Sequence, residues 1–141
     1  MPKKTVLVFG TFDPLHPGHH DLFAQAARLG QVVVVVARDQ NVYKIKKNPT
    51  QCSERSRLGV VAHAEKVTRA RLGNRTDFLR PVIEEQPDII ALGYDQKTFT
   101  PANLASELQK HGLAPKIVRL KAFHPEKYKS SKLKKLSKLK T

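Results

Sequence analysis

Residues Val32 to Val36 are five consecutive valines, and an unbroken β-branched run of that length fits a strand whose two faces are both covered. Such strands lie in the middle of parallel sheets flanked by helices. Thr5 to Phe9, Asp88 to Leu92 and Lys116 to Leu120 are further strand-length segments, and Val67 to Leu72 is a weaker one because three arginines flank or interrupt it. Segments of helical period separate them. One runs from about Gly18 to Leu29, with Leu22, Phe23, Ala26 and Leu29 on one face and Gly30 as its stop; another runs from an N-cap at Ser53 to about Ala64. Thr76 is placed to cap a helix ending before Pro87, and Thr100 with Pro101 opens one that Gly112 closes. The alternation predicts βαβ units, and hence an α/β fold with a doubly wound parallel five-stranded sheet.

The chain has 141 residues, the size of a single domain. One cysteine, Cys52, excludes an internal disulfide, and no apolar run reaches the roughly 20 residues that span a bilayer. These features predict a cytoplasmic protein without membrane attachment. The net charge of +14 suggests a polyanionic partner, yet Lys116 to Thr141 holds ten Lys or Arg against one acid, Glu126, so nine of those charges belong to the C-terminal end. A nucleic-acid module would interleave aromatics with its basic residues. That end holds only Phe123 and Tyr128, so weak, non-specific nucleic-acid binding is expected at most.

In a doubly wound sheet, ligands sit where a strand hands over to a helix. Gly10-Thr11-Phe12-Asp13-Pro14-Leu15-His16-Pro17-Gly18-His19 occupies that place. Gly10 permits a tight turn and close approach to a ligand, and a helix beginning near Gly18 would aim unpaired N–H groups at an anion. His16 and His19, three residues apart at the helix mouth, can converge and donate hydrogen bonds to phosphoryl oxygens. Their competing role is to cap the helix or to bind a metal. Asp13 either supports a divalent cation or braces the turn.

The segment GTFDPLHPGHHDL resembles the signature of the HxGH nucleotidyltransferase superfamily. That resemblance implies a Rossmann-like single domain over residues 1–128, adenylyl or cytidylyl transfer with Mg²⁺ or another divalent cation, and release of pyrophosphate. It assigns the motif histidines to His16 and His19, and nucleotide contacts to Gly10, Gly18 and the backbone at Thr11 and Phe12. Beyond the signature, VVVVVARDQNV, KIKK, Glu54-Arg55, PDIIALGYDQKTF and KIVRLK are similar to archaeal-type FAD synthases, relatives of the glycerol-3-phosphate cytidylyltransferases. ATP and FMN are then the expected substrates. CTP with a small phosphate such as glycerol 3-phosphate is the alternative, and a non-catalytic nucleic-acid-binding domain is the alternative from another class.

Lys44, Lys46 and Lys47 would form a loop after the second strand that is either simply solvated or closes over a triphosphate, and the resemblance gives Lys46 the task of neutralising leaving pyrophosphate. It also turns Arg55 toward the phosphates, where otherwise Arg55 would be an exposed helix residue. Asp95, after a strand end and Gly93, can accept from a ribose hydroxyl or a base amine, or cap its loop. Tyr94, Phe99, Phe123 and Tyr128 are candidates to stack on a flavin ring, with Phe99 and Phe123 alternatively core residues. The superfamily carries a Ser/Thr motif at a helix start, and Lys129-Ser130-Ser131-Lys132 is a reduced match, with Ser130 and Ser131 as phosphate contacts or N-caps. In the basic tail, 129–141, Leu133, Leu136 and Leu139 suggest an amphipathic helix that packs on the domain, contacts a second subunit in a homodimer, or frays. His20, His63, His111 and His124 lack a second ligand at a recognisable spacing, so no metal site is expected among them.

Overall fold

The computed structural model describes residues 4–93 and 101–121, with the backbone alone for 44–46 and 101–102. Tyr94, Asp95, Phe99, Phe123, Tyr128, Ser130, Ser131 and the basic tail therefore lie outside the described residues. Among the described residues the order is β1 (Thr5–Gly10), α1 (Pro17–Ala27), β2 (Gln31–Val36), α2 (Asp39–Lys46), α3 (Glu54–Ala62), β3 (Arg69–Leu72), α4 (Arg80–Glu85), β4 (Ile89–Leu92), α5 (Pro101–Gln109) and β5 (Lys116–Arg119).

The sheet is all parallel, in the order β3-β2-β1-β4-β5. The valine run explains its own position. Val32, Val34 and Val36 pack on one face with Phe23 and Ala26 of α1 and Val61 of α3, whereas Val33 and Val35 pack on the other with Val82 of α4 and Leu104 and Leu108 of α5. All five valines are buried, each contributing roughly 1.5–3 kcal/mol of transfer free energy. β1 carries the same division, with Val6 and Val8 on the α1 face and Leu7 and Phe9 on the α4 face. The strand order reverses between β1 and β4, so the crevice at their carboxyl ends is where such a sheet receives a ligand.

Several local expectations shift. Helix α1 begins at Pro17 with His16 as its N-cap, and ends at Ala27. Gly30 is less a helix stop than a point of close approach, because a Cβ there would collide with the Lys4 carbonyl, which accepts the Gln31 N–H at 2.7 Å. Helix α4 starts at Arg80 behind Leu79, not at Thr76. The segment holding Lys44, Lys46 and Lys47, expected as a loop, is the C-terminal half of α2 and its C-cap.

Helix α2 has no side-chain cap of its own at Arg38. It borrows one from α3: Glu54 Oε1 accepts the Asp39 N–H at 2.9 Å, and Asp39 Oδ2 accepts the Glu54 N–H at 3.1 Å. Each helix start thus satisfies an orphan amide of the other. Arg38 bridges to Glu54 at 2.9 Å and fixes the same corner.

Candidate active site

The Gly10 to His19 loop leaves the end of β1 at this switch point. Phe12 adopts φ 56° and turns its buried ring back beneath Gly10. The ring meets Phe23 at 5.4 Å and the edge of His19 at 4.9 Å. The Gly10 carbonyl accepts the Ala37 N–H at 2.9 Å, which ties the loop to the end of β2.

His16 and His19 form a reciprocal cap. His16 Nδ1 accepts the Gly18 N–H at 3.1 Å, and His19 Nδ1 accepts the His16 N–H at 3.2 Å. Their rings stack with centroids 3.7 Å apart and planes 24° from parallel. Because both Nδ1 atoms accept, the hydrogen-bond network assigns the proton of each neutral ring to Nε2, making two N–H donors. Capping and chemistry are therefore compatible uses of different ring nitrogens. The helix amides are the part that departs from expectation: the Gly18 N–H is taken by His16 Nδ1, and those of His19 and His20 point to the His16 carbonyl at 2.9 and 3.3 Å. The first amides of α1 are thus committed within the loop and are not left unpaired.

Behind the loop stands Arg57, which is 1% exposed. It donates from Nε to the Cys52 carbonyl at 3.1 Å, from Nη1 to the Thr11 carbonyl at 2.8 Å and from Nη2 to Asp39 Oδ1 at 2.6 Å. Thr50 donates its hydroxyl to the same Asp39 oxygen at 2.9 Å. Asp13 Oδ2 and Oδ1 accept the Gln51 and Cys52 N–H groups at 2.6 and 2.8 Å, so its carboxylate clasps the loop before α3. Burial pushes the Asp13 carboxyl up, but those two donors and Arg57 outweigh it and hold it below 3.8. Burial likewise works against ionisation of Asp39, and the Arg57 hydrogen bond, the Glu54 N–H and Thr50 prevail, so it too is lowered. Burial and the Asp13 carboxylate push the Cys52 thiol up, away from reactivity.

Arg55, expected to face the phosphates, is exposed on α3, and Lys47 is an exposed C-cap with φ 63°. Lys44 and Lys46 lie in the second half of α2. Sequence reasoning passed over Arg57. Its signal was there: Arg57, Val61 and Ala64 share a helical face, and a cation at a core position requires a partner. Among the described residues no group of three His, Cys, Asp or Glu side chains could hold a metal ion, and no helix is long and apolar enough to cross a membrane.

The sequence matches the cytidylyltransferase-like family over residues 7–136. The chain belongs to that family. As a cytidylyltransferase-like protein it is a nucleotidyltransferase, and its curated relatives narrow the kind. It is 43% identical over 127 residues to an FAD synthase of Archaeoglobus profundus, covering 89% of this chain and 80% of the relative. An FAD synthase of Thermoplasma volcanium is 42% identical over 131 residues, covering 92% and 91%. Among solved structures, one titled a lipopolysaccharide core biosynthesis protein from Thermoplasma volcanium superposes with a TM-score of 0.81 at 40% identity, over 86% of this chain and 98% of that one.

Proposed function

We infer that this chain is an FAD synthase, which joins AMP from ATP to the phosphate of FMN and releases pyrophosphate. The observation that carries the transfer chemistry is the histidine pair, whose Nδ1 atoms are occupied by backbone N–H groups so that both Nε2–H donors are oriented by the fold. The acceptor rests on the relatives that bear the FAD synthase name.

In the reaction an FMN phosphate oxygen attacks the α-phosphorus of ATP, a new P–O bond forms, and the bond to the β-phosphate breaks with its electron pair leaving on pyrophosphate. No covalent enzyme intermediate is required. His16 and His19 donate to the phosphoryl oxygens as charge grows in the transition state. Gly10, Thr11, Phe12 and Gly18 shape the nucleotide loop, held in place by Arg57 through the Thr11 carbonyl. Lys46 neutralises the leaving pyrophosphate, Lys44 and Lys47 contact the triphosphate, and Asp95, Ser130 and Ser131 complete the nucleotide contacts. Mg²⁺ or another divalent cation, bound to the triphosphate, would neutralise charge there. We place the reaction in the cytoplasm, which suits a chain with one free cysteine.

The test offers ATP or CTP with FMN or glycerol 3-phosphate in all four combinations, with Mg²⁺, and measures FAD, CDP-glycerol and pyrophosphate directly. FAD from ATP and FMN is the expected product. CDP-glycerol without FAD would replace the acceptor assignment, and no pyrophosphate from any pair would remove the enzymatic one.

A further inference from the structure

Between β3 and α4 the chain turns at the carboxyl end of the sheet, on the same edge as the histidine loop. The turn is closely bonded. Asn74 Oδ1 accepts the Thr76 N–H at 3.0 Å, the Thr76 hydroxyl at 3.2 Å and the Asp77 N–H at 2.9 Å, and Asp77 Oδ1 accepts the Leu79 N–H at 3.0 Å. From outside, Arg38 Nε donates to the Gly73 carbonyl at 2.8 Å and Asn41 Nδ2 to the Asn74 carbonyl at 2.9 Å. A turn fixed at this many points also fixes Phe78.

The Phe78 ring lies on that of Phe9, with centroids 5.0 Å apart and planes within 21° of parallel, yet Phe78 remains 44% exposed. Its neighbour Leu79 packs against the core cluster that holds Val82, while Phe78 stands at the outer side of the turn. Phe9 immediately precedes Gly10 and lies two residues before Thr11, within about 7 Å of it along the backbone. Its side chain belongs to the α4 face, whereas Phe12 belongs to the α1 face that leads to the histidines. The Phe9–Phe78 stack therefore borders the switch-point crevice from the side opposite the phosphate-handling loop.

We propose that Phe78, backed by Phe9, forms one wall of the subsite for the isoalloxazine ring of FMN. The proposal rests on the FAD synthase reading and adds to it a residue that determines the acceptor. In FMN a five-carbon ribityl chain separates the reacting phosphate from a flat tricyclic ring, so a phosphate at the histidines leaves the ring to one side of them. A planar conjugated ring gains most from an aromatic surface that is already oriented, because offset stacking then needs no further ordering. A small acceptor such as glycerol 3-phosphate has nothing to place there.

The experiment compares the full-length protein with Phe78→Tyr, Phe78→Leu and Phe78→Ala, measuring KM for FMN and for ATP in FAD formation and the Kd for FMN from quenching of flavin fluorescence. Tyr keeps the ring and should stay within twofold of the parent. Leu keeps apolar bulk without a ring, and both Leu and Ala should raise KM and Kd for FMN about tenfold with KM for ATP within twofold. Unchanged FMN binding in Phe78→Ala, full recovery by Leu, or an equal rise in KM for ATP would overturn the proposal while the parent still makes FAD. A parent protein that neither makes FAD nor quenches FMN fluorescence would overturn this proposal and the FAD synthase reading together.

Discussion

The ring of Phe12 lies directly over the α-carbon of Gly10: a Cβ at position 10 would stand 2.7 Å from Cε2 and 2.9 Å from Cε1. Those ring atoms cannot retreat cheaply, because Phe12 is wedged between Phe23 and the edge of His19. Gly10→Ala should therefore lower stability by about 1–3 kcal/mol through overpacking and lower turnover through displacement of His19. Parallel measurement of denaturant midpoint and kcat checks this; a variant with parent-like turnover would show that His19 does not depend on Phe12.

His16 can be split into its two roles. Asn is as good an N-cap as any residue, so His16→Asn should leave stability within about 0.5 kcal/mol of the parent. It deletes the Nε2–H donor, however, and kcat should fall about 10²-fold or more with nucleotide affinity changed far less. His19→Ala should lose turnover similarly. Retained turnover in both variants would leave the histidines as caps alone.

Arg57 acts on the site through Thr11. Replacing it with Leu removes three hydrogen bonds from a buried position and leaves the Thr11 carbonyl without this donor, at a cost of about 1–3 kcal/mol. Arg57→Lys should rescue little, since an ammonium cannot span the same fork. Both should lower kcat more than they raise KM for ATP. Thermal denaturation together with steady-state kinetics checks the expectation.

Acid should weaken the fold at one corner first. Asp13 and Asp39 are held below 3.8 for the reasons given above, and Glu54 is held below 4.5 chiefly by the Asp39 N–H, against burial and with help from Arg38. At the sheet edge Glu85 is lowered chiefly by its hydrogen bond to Arg69, against burial and with help from Arg71. Carboxyls with depressed folded values bind protons more tightly in the unfolded chain, so their stabilisation is complete above the ordinary values and is lost as pH falls through the folded ones. The denaturant midpoint should hold down to about pH 5 and then decline below 4.5. Asp39→Asn should make that decline shallower, which a urea titration at each pH would detect.

Much of the sheet could be read from the sequence because its signals are local. Five valines in a row can hardly satisfy anything but a strand covered on both faces, and Ser53 caps α3 as its hydroxyl position suggests, accepting the Ser56 N–H at 3.1 Å. What could not be read depends on residues far apart in the chain. Helix α2 buries Val42 but lacks a cap of its own, and its start is satisfied by Glu54, fifteen residues on. Thr11, Asp39, Cys52 and Arg57 meet only once β1, β2 and α3 are in place. The histidines were visible as a motif, but which ring nitrogen would be committed to the backbone was not, because that depends on the His16 backbone conformation, φ −142° and ψ 173°.

The parallel order also fixes a timetable for synthesis. β1 is made first and lies in the middle of the sheet, yet its second neighbour, β4, begins at Ile89, and the Thr5 N–H finds its acceptor in Asp88, 83 residues later. While the ribosome is still making α3 and β3, the emerging chain can pair β1 with β2 but must present the other edge of β1 bare. An unpaired hydrophobic strand edge invites association between chains. The crevice at the β1–β4 boundary is thus the last part of the central sheet to close, and a chain halted before Ile89 would carry the histidine motif beside an unpaired edge of β1.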